Sequence, residues 1–311
     1  MAYSLENRLV IGIASSALFD LDESDRVFRE QGEQVYREFQ EENLDNPLEP
    51  GVAMPFIKRV LSLNDLTEDA DDGPLVEVII LSRNDPDTGA RVMRSVKHHG
   101  LPITRAVFNQ GRSPYKFMPA FNMSLFLSAD EANVREAVAL GLPAGQVLPS
   151  AGTDDAGDDS LRIAFDFDGV LASDESEQIM QEGGLGLFHE YETRHAKSAH
   201  SPGPLRDFLQ EVNKLQRREE ARRLVDPSYR TRVHVSIVTA RNAPSHERAL
   251  VSLKKWGVTV NDAFFLGGVD KGAVIRILRP HIFFDDQLSH LESAAVSAPS
   301  VHVPFGALNA H

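Results

Sequence analysis

One set of short motifs occurs twice along this chain, in the same order, and that repeat limits the fold more than any other feature. The second half reads Arg162-Ile-Ala-Phe-Asp-Phe-Asp-Gly-Val-Leu171, then Ser236-Ile-Val-Thr-Ala-Arg241, Asp270-Lys-Gly272 and Ile282-Phe-Phe-Asp-Asp-Gln287. The first half answers with Ile11-Gly-Ile-Ala-Ser-Ser-Ala-Leu18, Ile79-Ile-Leu-Ser-Arg83, Pro114-Tyr-Lys116 and Ser124-Leu-Phe-Leu-Ser-Ala129. The apolar runs match, but the acids of the second half are missing from the first.

The offset is regular. Ala14 and Asp166 lie 152 positions apart (166 − 14), as do Ser16 and Asp168, Asp22 and Asp174, Gly51 and Gly203, and Phe56 and Phe208. Beyond an insertion the offset becomes 157 (239 − 82) for Ser82 and Thr239, and it holds for Gly100 and Gly257 and for Leu127 and Phe284. Lys116 and Lys271 differ by 155 (271 − 116), which places a small gap there. A period as long as a domain denotes a tandem duplication, not a solenoid.

The 311 residues suffice for two domains, each with its own core. The expected division is a degenerate domain over 1–149, a linker over 150–160 and a catalytic domain over 161–311. Small and acidic residues without apolar periodicity mark the linker, and a second acidic loop is expected from Asp65 to Pro74. Short apolar runs (Leu161 to Phe167, Val233 to Val238, Ala263 to Leu266, His281 to Phe284) alternate with helical spacings such as Ala249, Leu250, Leu253 and Trp256. That alternation predicts an α/β fold with parallel sheets. Ligands bind such sheets beyond the carboxyl ends of the strands, where Asp166, Thr239 and Asp285 would converge.

The chemistry follows from residue types at those ends. Asp166 and Asp168 enter one loop, so one carboxylate can attack phosphorus while the other moves a proton to the leaving oxygen and then from water. Thr239 offers a hydroxyl and Ala240 an amide to a phosphoryl oxygen, and Lys271 brings a cation where phosphoryl charge gathers. Asp285 and Asp286 complete an all-oxygen set with Asp166 and the carbonyl of Asp168, which suits Mg²⁺. Which of Asp285 and Asp286 touches the metal stays open. Arg241 reaches a phosphate or ribose, or forms an ion pair.

The segment over about 173–232 reads as a helical cap inserted over the active-site end. Its Lys214 to Arg223 run is either a basic patch or a solvated face of mixed-sign pairs. Asp174 and Glu177 make a helix-start box or a substrate contact. Phe188, His189 and Tyr191 stack a base or belong to the core, and Gly183-Gly184 hinges the cap or ends a helix. No histidine pair has zinc-ligand spacing, so His246 and His281 are left outside the mechanism.

Bulk properties exclude several classes. A net charge of −14 argues against a nucleic-acid polymer as partner. The absence of cysteine excludes disulfides and thiolate metal sites and is compatible with a reducing compartment. No long apolar run predicts a signal peptide or membrane span.

This motif order resembles the haloacid dehalogenase superfamily of phosphohydrolases. Asp166-x-Asp-x-Val-Leu-x-Ser-Asp-Glu-Ser-Glu177, Val238-Thr-Ala-Arg241, Arg279-Pro-His-Ile-Phe-Phe-Asp-Asp-Gln287, Ala17-Leu-Phe-Asp20 and Leu125-Phe-Leu-Ser-Ala-Asp130 are similar to the cytosolic 5′-nucleotidase type I family over nearly the whole chain. Phe167-Asp-Gly169 departs from the Gly-Asp-Ala of animal members, but both acids remain. The resemblance implies two tandem Rossmann-like domains of haloacid dehalogenase type. It also implies cytoplasmic, Mg²⁺-dependent hydrolysis of nucleoside 5′-monophosphates, with adenosine monophosphate and deoxynucleotides as typical substrates. Adenosine diphosphate activates animal members, so a nucleotide effector at the degenerate domain is an expectation, held by Ser82 and Lys116. Assembly of copies, a sugar phosphate as substrate, phosphotransfer to a nucleoside, and a binding regulator with little turnover remain alternatives.

Overall fold

The structure is a computed structural model, and it describes residues 3–67, 73–152, 154–155 and 157–309. Residues 68–72 of the expected acidic loop, and Thr153 and Ala156 of the expected linker, lie outside the described residues. The chain divides into two compact units, 1–147 and 148–311.

In the first unit the strands are β1 (Leu9–Ile13), β2 (Val76–Ser82), β3 (Arg105–Phe108), β4 (Leu125–Ser128) and β5 (Ala144–Val147). The helices are α1 (Ser15–Leu18), α2 (Asp22–Glu42), α3 (Met54–Ser62), α4 (Gly89–His98) and α5 (Glu131–Ala139). All the strand pairings within the unit are parallel, in the order β3-β2-β1-β4-β5.

The second unit repeats that plan. Its strands are β6 (Leu161–Phe165), β7 (Val233–Thr239), β8 (Asp262–Phe265), β9 (Ile282–Asp285) and β10 (Ser300–His302). Its helices are α6 (Glu175–Arg194), α7 (Arg206–Val225), α8 (His246–Trp256), α9 (Lys271–Leu278) and α10 (Leu288–Ala294). The order β8-β7-β6-β9-β10 is again parallel throughout, and β6 at its centre corresponds to β1. The two units are α/β and share one strand order.

Both faces of the inner strands β1, β2, β4, β6, β7 and β9 are covered, which is why they read as apolar runs and not as alternating ones, while the edge strands β3 and β8 are only half-buried. Successive residues of β6 and β9 point to opposite faces. Ala164 and Phe283 pack with Ile275 and Leu291 on one side. Phe165 and Phe284 stack on the other, with ring centroids 5.2 Å apart, and Phe208 of α7 closes over both. The first unit buries Val10, Ile79 and Phe126 with Tyr115 and Met118 in the same manner.

The region expected as one cap, 173–232, is two different things. Phe208, Leu209, Val212 and Leu215 of α7 are buried, so α7 is a layer of the sheet domain and not part of a lid. Its outer face carries the pairs Lys214–Glu211 and Arg223–Glu220, a solvated mixed-sign surface.

What stands over the site is α6, and it is a hairpin. Ser176 donates to Glu192 at 2.8 Å although 16 residues separate them. A continuous helix would hold them about 24 Å apart. The reversal sits at Gly184, whose φ of 69° and ψ of −172° are accessible essentially to glycine alone. The first unit folds its α2 back in the same way at Gly32 (φ 84°, ψ 177°), and Gln40 donates to Ser24 at 3.0 Å, again across 16 residues. Gly32 and Gly184 obey the 152 offset (184 − 32), as do Ser24 with Ser176 and Gln40 with Glu192.

Candidate active site

Because the strands of the second unit run parallel, their carboxyl ends share one edge. Asp166 follows β6, Thr239 ends β7, Asp285 ends β9 with Asp286 next to it, and Lys271 opens α9. Asp166, Thr239, Lys271, Asp285 and Asp286 are all buried, whereas Ala240 is exposed.

Lys271 joins two of the acids. Its Nζ lies 2.8 Å from Asp166 Oδ2 and 2.7 Å from Asp285 Oδ2. The ammonium is 1 % exposed, and burial alone would favour its neutral form. The carboxylates of Asp166 and Asp285 outweigh that and hold it protonated, above the usual lysine range. Asp166 Oδ1 accepts from the Phe167 amide at 2.7 Å. Asp285 Oδ1 accepts from the Gln287 amide at 2.9 Å and lies 3.2 Å from His290 Nδ1.

The charge balance is incomplete. Burial pushes Asp166 above the usual carboxylate range, and the nearby Asp285 and Asp168 add to that against the pull of Lys271. Asp286 is raised for the same reasons, burial first and then the charges of Asp166 and Asp285. Asp285 is the exception, since Lys271 and the His290 hydrogen bond overcome the cost of its burial and lower it. Moreover, Asp286 Oδ1 is buried without a hydrogen-bond partner.

One lysine cannot neutralise this many buried carboxylates, and an orphaned carboxylate oxygen needs a donor or a cation. The residues therefore fit a hard divalent cation with oxygen ligands. Ligand atoms of Asp166, Asp285 and His290 also lie within 4.8 Å of one another. The carboxylate of Asp286 rests against Gly169, whose φ is +69° and whose missing Cβ would otherwise overlap it.

Asp168 is 17 % exposed at its side chain and faces Arg241, not Lys271. Arg241 Nε donates to Asp168 Oδ2 and its Nη2 to Oδ1, both at 2.7 Å. Behind it the guanidinium meets Glu192, the Ser245 carbonyl at 3.1 Å and His200 Nε2 at 3.0 Å. Of the two roles open to Arg241, the structure thus shows the ion pair. Glu192 also takes Arg248 at 2.8 Å. Burial would raise Glu192, but His200 and Arg241 hold it well below the usual carboxylate range.

The aromatic residues of the hairpin are engaged. Phe188 lies 5.3 Å from the Arg241 guanidinium, His189 is 3.0 Å from Asn242 Oδ1, and Tyr191 bonds Glu175 and stands under Arg248. Asp174 Oδ2 accepts from the Ala307 amide and from Gln178, both at 2.8 Å, so it ties down the C-terminal segment. A cavity of about 210 Å³ between Ile163, His234 and Leu278 opens at the amino ends of the strands, away from all these groups.

Glu192, His200 and His290 were not legible as site residues, since none sits in a motif. For Glu192 a signal existed. The 152 offset aligns it with Gln40, a polar pair within otherwise ordinary helices.

In the first unit the corresponding places hold Ala14, Ser16, Ser82, Ser128 and Ala129. Ser82 Oγ accepts from the Asn84 amide at 3.1 Å and lies 3.4 Å from Ser15 Oγ. Lys116 does not occupy a buried place like that of Lys271. It is exposed, with its ammonium 5.3 Å from the Phe117 ring centre.

The 5′-nucleotidase family model matches residues 1–310. Human Cytosolic 5′-nucleotidase 1B is 34 % identical over 294 residues, covering 93 % of this chain and 47 % of that protein. The chain thus spans about half the length of this curated relative. A solved S. aureus MnaA–UDP co-structure overlays with a TM-score of 0.18 at 12 % identity, over 92 % of this chain and 76 % of that one, a likeness too slight to carry any argument. Among the described residues no helix is long and apolar enough to cross a membrane.

Proposed function

Because the chain belongs to the 5′-nucleotidase family, we propose that its second unit hydrolyses nucleoside 5′-monophosphates to nucleoside and phosphate. The observation that carries this reading is the buried Asp166–Lys271–Asp285 group, with Asp286 beside it and Asp168 at its mouth. Both units are read as haloacid-dehalogenase-type domains in tandem, on their shared strand order and on the paired motifs.

In this reading Asp166 attacks phosphorus and becomes an aspartyl-phosphate. Asp168 gives a proton to the departing 5′ oxygen and then takes one from the water that hydrolyses the phosphoenzyme. Thr239 and the Ala240 amide steady phosphoryl oxygens, and Lys271 offsets their charge from the side of Asp166 and Asp285. Asp286, with its orphaned oxygen, would hold a divalent cation directly, together with Asp166 and the carbonyl of Asp168. Asp285 keeps Lys271 in place beside them. The cation, taken to be Mg²⁺, neutralises phosphoryl charge when bound. A cytosolic setting is carried over from the relative's name as part of the same proposal.

The test is phosphate release from a panel of nucleoside 5′-monophosphates and sugar phosphates with Mg²⁺. Turnover of the nucleotides, reduced to background by Asp166→Asn, is the expected result. A preference for sugar phosphates overturns the substrate assignment. No Asp166-dependent turnover at all overturns the hydrolase reading and leaves a nucleotide-binding regulator.

A further inference from the structure

The degenerate unit is an internal control for the catalytic one. In the second unit the hairpin is clasped by Ser176, Glu192 and Arg248. The first unit has the same clasp in Ser24, Gln40 and Arg91, with Arg91 Nη1 donating to Gln40 Oε1 at 3.3 Å. Even the serine behind it is kept. Ser252 Oγ accepts from the His200 amide and Ser95 Oγ from the Leu48 amide, each at 2.9 Å. Closing the hairpin therefore needs neither a carboxylate at 192 nor a histidine at 200, because glutamine and leucine serve in the first unit.

What the first unit lacks is the line from the hairpin to the acid. At the 152 offset Asp168 becomes Ser16, Glu192 becomes Gln40 and His200 becomes Leu48, and at the 157 offset Arg241 becomes Asn84. These groups touch one another in the second unit and are missing together where Asp168 is missing. Residues present in both units build the fold; residues present only beside Asp168 serve its chemistry.

From this we propose that Arg241, anchored by Glu192, is a positioning residue that fixes Asp168 for proton transfer and so couples the α6 hairpin to the reaction. The inference rests on the reading of Asp168 as the proton-transfer group. Physically it is apt. A guanidinium is a rigid fork that matches both oxygens of a carboxylate, so fixing its plane fixes the carboxylate. The plane is set by Glu192 and the Ser245 carbonyl on Nη1 and by the rings of Phe167 and Phe188, 5.2 and 5.3 Å away. A carboxylate offers about four lone-pair sites, and the fork takes two, which leaves sites for a proton facing the substrate.

The test is Glu192→Gln, the residue that the first unit itself uses. Two substrates are compared, a nucleoside 5′-monophosphate and its analogue with sulfur as the bridging 5′ atom. With oxygen, the P–O bond breaks as the phosphoryl group passes to Asp166 and the Asp168 proton passes to the 5′ oxygen. With sulfur, the P–S bond breaks and the thiolate leaves without needing that proton. A thiol reagent reads the first turnover without background, since the chain has no cysteine.

The expected result is a kcat for the oxygen ester lower by roughly 10- to 100-fold with KM within about twofold, and first-turnover thiol release within about threefold of wild type. Arg241→Lys keeps the charge without the fork and should reproduce this pattern, so it carries the test if Glu192→Gln melts early. Equal slowing of both esters, no slowing of either, or faster turnover of the oxygen ester overturns the proposal. A wild-type protein that releases no phosphate from any nucleotide is a separate result. It overturns the functional reading, and this inference falls with it.

Discussion

The two units share a backbone plan and differ in what their strand ends carry. The amide of Asp166 bonds the Phe284 carbonyl at 2.8 Å, and that of Ala14 bonds the equivalent Leu127 carbonyl at the same distance. His290 approaches Asp285 Oδ1 at 3.2 Å, and Asn133, its counterpart at the 157 offset, donates to Ser128 Oγ at 3.4 Å. Thus the hydrogen-bonded frame is common to both units, and the acids it carries are not. Hydrogen bonds that position a loop can be made by serine and asparagine, whereas the nucleophile, the proton carrier and the metal ligands proposed for the second unit are all carboxylates. The difference also concerns charge. The second unit buries carboxylates and holds them with Lys271 and Arg241; the first has no such acids at those places, and its Lys116 stays in solvent.

The sharpest way to break this comparison is to remove the two lysines. Lys271→Ala leaves Asp166 and Asp285 buried without their cation, and breaking a buried pair costs about 3–5 kcal/mol. Lys116→Ala, at an exposed position, should change stability by less than about 0.5 kcal/mol. Urea unfolding of both variants checks this, and comparable shifts would show that the buried ammonium is not what holds the second site together.

Metal comes next. If Asp286 receives a divalent cation, Mg²⁺ at a hundred times its Kd should stabilise the protein by about 2.7 kcal/mol. Asp286→Asn should remove that increment, and a chelator should reverse it in the wild type. Thermal melts with and without Mg²⁺ read both effects. An increment that survives in Asp286→Asn would place the cation elsewhere.

The hairpins should respond alike. Gly184→Ala and Gly32→Ala meet open space but force alanine into a backbone region suited to glycine, at about 1–3 kcal/mol each. Their costs should agree with each other in denaturant titrations, and a large disparity would separate the two turns. The smallest effect is expected from the clasps. Ser24→Ala and Ser176→Ala each delete one buried hydrogen bond, worth about 1 kcal/mol, and the two should again match. If Ser176→Ala alone also slows turnover, the clasp in the second unit does more than close the hairpin.

Much of the site was legible because the sequence arranges it by rule. A buried parallel strand reads as an apolar run, and the residue that ends the run arrives at the open edge of the sheet. Asp166, Thr239 and Asp285 could be placed together on that ground, and Lys271 by its place at a helix start. Glu192 could not. It lies within a helix with no motif around it, and it reaches Arg241 only because Gly184 reverses the chain. Likewise the boundary of the cap failed at α7, since a charged outer face hid the apolar stripe of Phe208, Leu209, Val212 and Leu215.

By itself the sequence determined that two α/β units follow one another, that only the second carries the acids, and which strand ends bear them. Periodicity and offset are properties of the chain alone, so they need no third dimension. Only the tertiary structure decided that Arg241 grips Asp168, that Asp286 keeps an orphaned oxygen, and that Lys116 stays in solvent. Those are matters of distance and burial between residues far apart in sequence. They depend on how the chain folds back, and a carboxylate or an ammonium looks the same in the sequence whether it ends up paired, orphaned or in water.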